Sequence, residues 1–163
     1  MNRNYKIALA LSIFVILGVC ADITLSYAFF KYGDTEYFVK AEQNRYVCDN
    51  FVNGTFPSLF FIKIPFFIIP IVASVLMITK VEKEINFKKI ERQFTFSKLM
   101  MFGAFISLGL SNFAAGLSWY DEPTNIMTIV SRMFNDWVYL FLGVAGLFAL
   151  IAATSLYRDE KKK

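Results

Sequence analysis

Asp22 and Lys63 are the two ionisable side chains that fall inside the long apolar runs of this sequence. A charge at bilayer depth costs roughly 2.5–3.5 kcal/mol on insertion scales, so it is kept where it finds a partner or water. With Phe30 as the outer limit of its run, Asp22 lies about 12 Å deep by the rise of a helix. Lys63 lies about 6 Å from the start of the next run at Leu59. The two runs are consecutive and therefore antiparallel if both cross a membrane, which lets the carboxylate and the ammonium face each other. Two arrangements satisfy that geometry. One is a sealed ion pair that locks the helices, or a protonated Asp22 with Lys63 snorkelling to the interface on its alkyl stem. The other is a polar cavity opening outward, for an ion, a proton or a small polar ligand. Asn112 sits at a similar depth in the third run and would add an amide to such a cavity.

Other chemistry is sparse. The absence of histidine removes the usual imidazole ligands and the commonest general base. There is no P-loop, no GxSxG and no HExxH. No serine in the runs has a credible base beside it, and Asp22 has no second carboxylate within them. No catalytic residue, metal ligand or cofactor is expected. Asp34, Glu36, Glu42 and Asp49 match no calcium-loop spacing and read as a solvated acidic face. Cys20 and Cys48 form no CxxC, so two free thiols are expected. Asn53-Gly54-Thr55 is a glycosylation sequon with Asn53 as its acceptor.

The elements that must position these residues follow from hydropathy. The chain has 163 residues, 56% of them hydrophobic. Apolar runs cover about 7–30, 59–79, 99–117 and 137–157. A helical span needs about 20 residues to cross roughly 30 Å of hydrocarbon. The expected fold is an all-α integral membrane bundle of four transmembrane helices, a single domain over 1–163. Val19-Cys20-Ala21 before Asp22 resembles a signal cleavage site, but the apolar run continues to Phe30, longer than a signal h-region, so a retained helix is expected. The net charge of +4 would suggest nucleic acid in a soluble protein. Here the basic residues gather at run ends: Arg3 and Lys6, then six between Lys80 and Lys98, then Arg158 and Lys161 to Lys163. The remaining connectors hold Lys31, Lys40 and Arg45, and Arg132 alone. The positive-inside rule then puts both termini in the cytoplasm of a multi-pass cell-membrane protein, with lipid and not nucleic acid as its partner.

Small residues mark the expected helix contacts. Gly18, Asp22 and Ser26 share a stripe on the first span. Gly103, Ser107, Ser111 and Ala115 recur at steps of four on the third, and Ala145, Ala149 and Ala153 on the fourth, beside Gly143 and Gly146. Such ridges let backbones approach closely, either within one subunit or across a homo-oligomer. Pro65 and Pro70 are expected to bend the second span. The 36–48 segment reads as one short interfacial helix, with Tyr32, Tyr37, Phe38 and Tyr46 at headgroup level. The 80–98 connector reads as a short surface helix, and Ile126, Ile129, Val130 and Met133 as an amphipathic turn on the membrane. Trp119 and Tyr120 with Trp137 and Tyr139 form an expected aromatic belt.

The run Asp22-Ile23-Thr24-Leu25-Ser26-Tyr27, then Gly33 and Glu36, then Lys63 and Asn112, resembles a family of small prokaryotic membrane proteins, mainly archaeal, known as a domain of unknown function. The resemblance covers roughly 15–118 and leaves out the fourth span. Where that family follows its acidic residue with Asn and Pro, this chain has Tyr37-Phe38. The resemblance implies a shared polar cluster of Asp22, Glu36, Lys63 and Asn112, and no activity. Three functions fit such a chain. The first expectation is a structural or interaction subunit that packs on itself or on a larger membrane partner. The alternative is a small transporter, channel or ligand-binding protein with an outward pocket at Asp22 and Lys63. The third is a membrane-embedded enzyme acting on a lipid, which would need a lipid-accessible groove with convergent polar groups.

Overall fold

Four long helices alternate in direction and line up as a row in which each packs mainly on its neighbour. The computed structural model describes residues 3–42, 44–84, 90–121 and 125–160. In chain order the helices are α1 (Arg3–Tyr32), α2 (Thr35–Ala41), α3 (Arg45–Val52), α4 (Pro57–Glu84), α5 (Glu91–Ser118) and α6 (Ile126–Glu160). The fold is all-α, and α1, α4, α5 and α6 are each long and apolar enough to cross a membrane. In space the order is α4, α1, α5, α6.

Every long helix outruns its apolar stretch. α1 and α4 have 30 and 28 residues, and α6 has 35, about 52 Å of helix. Ile126, Ile129, Val130 and Met133 are therefore the opening turns of α6, not a separate interfacial turn. Nothing between Ile126 and Leu142 breaks the helix, since that stretch holds neither Gly nor Pro. The surface helix expected over 80–98 is likewise absorbed where it is described: Val81 belongs to α4 and Phe94 to α5, while Ile85 lies outside the described residues. α4 remains helical through Pro65 and Pro70.

The expected helix over 36–48 is two helices. Asp34 caps α2 by accepting from the Tyr37 N–H at 2.8 Å, and Asn44 caps α3 by accepting from the Tyr46 N–H at 3.1 Å. Each cap satisfies a helix-end donor that would otherwise be orphaned. Asn50 then ties the following turn. Its amide donates to the Tyr46 carbonyl and accepts from the hydroxyls of Thr55 and Ser58, and Gly54 takes the positive φ of 68°. Asn53 is exposed at the end of α3.

α1 and α5 cross closely. A Cβ on Gly18 would land on the Gly109 carbonyl oxygen, and one on Gly116 would sit 2.8 Å from Asp22 Cα. At the α1 N-terminal end, Asn4 donates to Glu82 and accepts from Lys98 at 2.9 Å, while Lys98 pairs with Glu82 at 2.7 Å. That network joins α1, α4 and α5. At the opposite end, aromatic rings close the bundle under α2 and α3. Phe38 is fully buried, 4.4 Å from Trp119 and 5.5 Å from Phe51, and Tyr27 stacks on Phe56 at 3.9 Å. Phe38 is thus a core residue and not a headgroup-level one, whereas Tyr32, Tyr37 and Tyr46 are exposed.

Candidate functional site: a polar pocket beneath α2 and α3

Lys63 Nζ donates to Asp22 Oδ2 at 3.0 Å, so the two intramembrane charges meet. Their side chains keep 27% and 14% of their surface accessible. The pair is neither sealed nor freely solvated. It forms one wall of a 250 Å³ cavity between α1, α4 and α5, roofed by the α2–α3 junction. Ser26, Glu42, Asn44 and Ser118 supply the other polar surface, and Ile23, Phe51, Leu59 and Trp119 the apolar part.

Each wall has a local cause. The stripe of Gly18, Asp22 and Ser26 lies along the α1–α5 seam, where Gly116 is small enough to admit the α1 backbone at Asp22. Ser26 is buried and accepts from the Trp119 indole N–H at 3.0 Å, while Tyr120 donates to the Leu25 carbonyl at 3.0 Å. Trp119 and Tyr120 therefore pin the end of α5 to α1, and Trp119 is a pocket wall more than a lipid-facing belt residue. Trp137 and Tyr139 remain exposed, as a belt requires. Ser118 donates to the Ala115 carbonyl within its own helix.

Glu42 terminates α2 and accepts from the Asn44 N–H at 2.8 Å. Burial pushes its carboxyl above the ordinary 4.5, and Asp22 pushes the same way, while the Asn44 bond and Lys63 pull it down. The pocket thus holds two carboxyl groups and one ammonium. Cys48, one helix along, has its thiol raised by burial and by the charges of Asp49 and Glu42. Both cysteines are free.

The structure places the expected cluster of Asp22, Glu36, Lys63 and Asn112 in three places. Asp22 and Lys63 meet. Glu36 stays on the surface of α2, 81% exposed, and pairs with Lys40 at 2.7 Å. Asn112 donates to the Leu108 carbonyl and faces a different cavity. Glu42 holds the position that Glu36 was expected to hold. Sequence alone offered one signal for it: a carboxylate beside Asn44, a good capping residue that would turn the chain there.

The expected packing ridges also divide. On α5, Gly103 lies against the Phe141 ring, Ser107 is buried, and Ser111 exchanges hydrogen bonds with Ser131 at 3.0 Å in both directions. Ala115 has turned away to line the pocket. Of the expected α6 ridge, Ala145 is buried, its carbonyl accepting from Ser97 at 2.8 Å, while Ala149 and Ala153 are exposed. Comparison with models of protein families, with curated proteins and with solved structures finds no match.

Proposed function

We propose that this chain is a cell-membrane binding protein whose pocket at the α2–α3 end takes a small polar ligand from outside, with both termini cytoplasmic. The observation that carries this reading is the Asp22–Lys63 pair opening on a polar cavity with a third ionisable group, Glu42, in its wall. A pair kept only to lock two helices has no use for a second carboxyl beside it, which repels the first. Lys63 uses one of its three ammonium donors on Asp22, and the carboxyls leave lone pairs for a ligand donor. The pocket therefore suits a ligand carrying both an ammonium and an anionic oxygen. The basic residues at the far end support the orientation. The resemblance to the small prokaryotic family belongs to the same proposal, reduced to Asp22 and Lys63 as the positions that act together.

Phosphoethanolamine is the simplest probe with both charges. In detergent it is expected to raise the melting temperature of the chain, and Lys63→Met is expected to abolish the rise. About 1 kcal/mol of ligand stabilisation moves the midpoint by about 2–4 °C in a protein of this size. An equal rise in wild type and Lys63→Met, or none in either, contradicts the reading.

A second reading, an interaction subunit, is supported by α6. It packs on α5 and leaves Leu140, Leu147, Leu150 and Ile151 exposed along its length. Lipid covers such a face equally well, so this reading ranks second.

A further inference from the structure

The row of helices leaves a second cavity. α4 packs on α1 and α6 packs on α5, and between α4 and α6 a cleft of 520 Å³ opens sideways over the face of α5. Its walls are mostly apolar, from Phe66 and Pro70 on α4 through Phe105 and Leu108 to Leu142 on α6. Along α5 it runs from Ala104 to Ala115, about 16 Å by helical rise. That is about half of the roughly 30 Å hydrocarbon core, the reach of one leaflet's acyl chain. Phe66, Tyr139 and Leu142 are exposed at its rim, where bilayer chains lie, so the cleft is entered from the side and not through water.

Ala115 lines this cleft and also the polar pocket of Asp22, Lys63 and Glu42. It is the residue common to both linings. Asn112, about one turn before Ala115 on α5, spends one amide N–H on the Leu108 carbonyl and lines the cleft just below that junction. It stands where the ester oxygens of a lipid would fall if its headgroup sat in the pocket.

We propose that pocket and cleft form one site for a phospholipid with a primary-amine headgroup, its head at Asp22, Lys63 and Glu42 and an acyl chain in the α4–α5–α6 cleft. The inference rests on the reading of the pocket as a binding site and adds the ligand's class and its route of entry. Charge complementarity selects the head. The ammonium answers two carboxyls that share one lysine, and the phosphate takes the donors that Lys63 does not spend on Asp22. An anionic headgroup without the amine would meet the same Lys63 donors but bring no cation for Asp22 and Glu42. A free polar solute of the same chemistry fits the pocket but leaves the cleft to bulk lipid.

Native mass spectrometry of the full chain in detergent, with palmitoyl-oleoyl phosphatidylethanolamine or the matching phosphatidylglycerol added, tests this. Retention of the ethanolamine lipid is expected to exceed that of the glycerol lipid by about tenfold. Leu142→Trp, at an exposed rim position, and Ala115→Phe, at the junction, are each expected to cut that retention by about tenfold. Leu142→Trp is expected to leave the melting-temperature rise with phosphoethanolamine intact, and Lys63→Met to remove both signals. Lipid retained equally by wild type, Lys63→Met and both cleft variants is annular lipid only and overturns the inference, as does preference for the glycerol lipid. If phosphoethanolamine acts through Lys63 but the lipid is not retained, the tail fails and the pocket stands. If neither probe depends on Lys63, the pocket fails as well.

Discussion

Asp22, Lys63 and Glu42 differ in how their positions are enforced. Asp22 and Lys63 were legible because a charge inside an apolar run is rare and needs a partner. Glu42 was not, because one of four acidic residues in a connector looks like the others until α2 and α3 fold and tuck it under the rim. The three now share one pocket, and a mutational cycle reads their coupling. Lys63→Met leaves two carboxyls in one pocket without their cation, and because water still reaches the pair the loss falls below the roughly 3–5 kcal/mol of a fully buried one. Asp22→Asn costs less, because Glu42 remains to answer Lys63. The double variant is expected to be the mildest of the three. Chemical denaturation in detergent gives the order, and strictly additive losses would show that the pair is not coupled.

Glu42 carries a pH signature of its own. Its folded carboxyl lies above the ordinary 4.5, so the folded chain holds this proton more tightly than the unfolded chain does. Its contribution to stability is therefore most favourable below 4.5 and declines as pH rises through the raised folded value. Wild type should lose stability relative to Glu42→Gln across that window and run parallel to it above. A difference that stays flat from acid to neutral pH would show Glu42 fully solvated.

At the scale of elements, the four spans were readable from hydropathy and their faces only in part. Steps of four overshoot a 3.6-residue turn by about 40° each, so a long ridge of that spacing winds off its face. This is why Gly103 meets α6 while Ala115, three steps on, lines the pocket. It is also why Ala145 is buried but Ala149 and Ala153 are not. The seam that α6 presents instead runs through Ser131, Phe134, Val138, Phe141, Ala145, Phe148 and Ala152, alternating steps of three and four that stay in line. The stripe of Gly18, Asp22 and Ser26 marks the α1 side of the α1–α5 seam, whereas its α5 side has no such signal, since Gly109 and Gly116 stand seven apart and match no four-step pattern. A direct contrast separates the two kinds of glycine. Gly18→Ala drives a methyl into the Gly109 backbone and is expected to cost about 1–3 kcal/mol. Gly146→Ala meets nothing within 4 Å and is expected to be neutral or slightly stabilising. Equal melting temperatures for the two variants would mean that α1 and α5 do not cross there.

For the whole molecule, one end is tied shut by Asn4, Glu82 and Lys98 and the other is roofed by α2, α3 and a cluster of aromatic rings. Between them lies the polar pocket under the roof, the site of the proposed binding. The proposed function requires that pocket to be open from outside and negative in character. Ser118 lines it without belonging to the charged trio. Ser118→Cys, in a background with Cys20 and Cys48 changed to Ser, reports on both properties through its rate of reaction with impermeant thiosulfonates added to intact cells. Modification from outside is expected, faster with a cationic reagent than with an anionic one of the same size. No modification until the membrane is breached, or a faster anionic reagent, would contradict the proposed function.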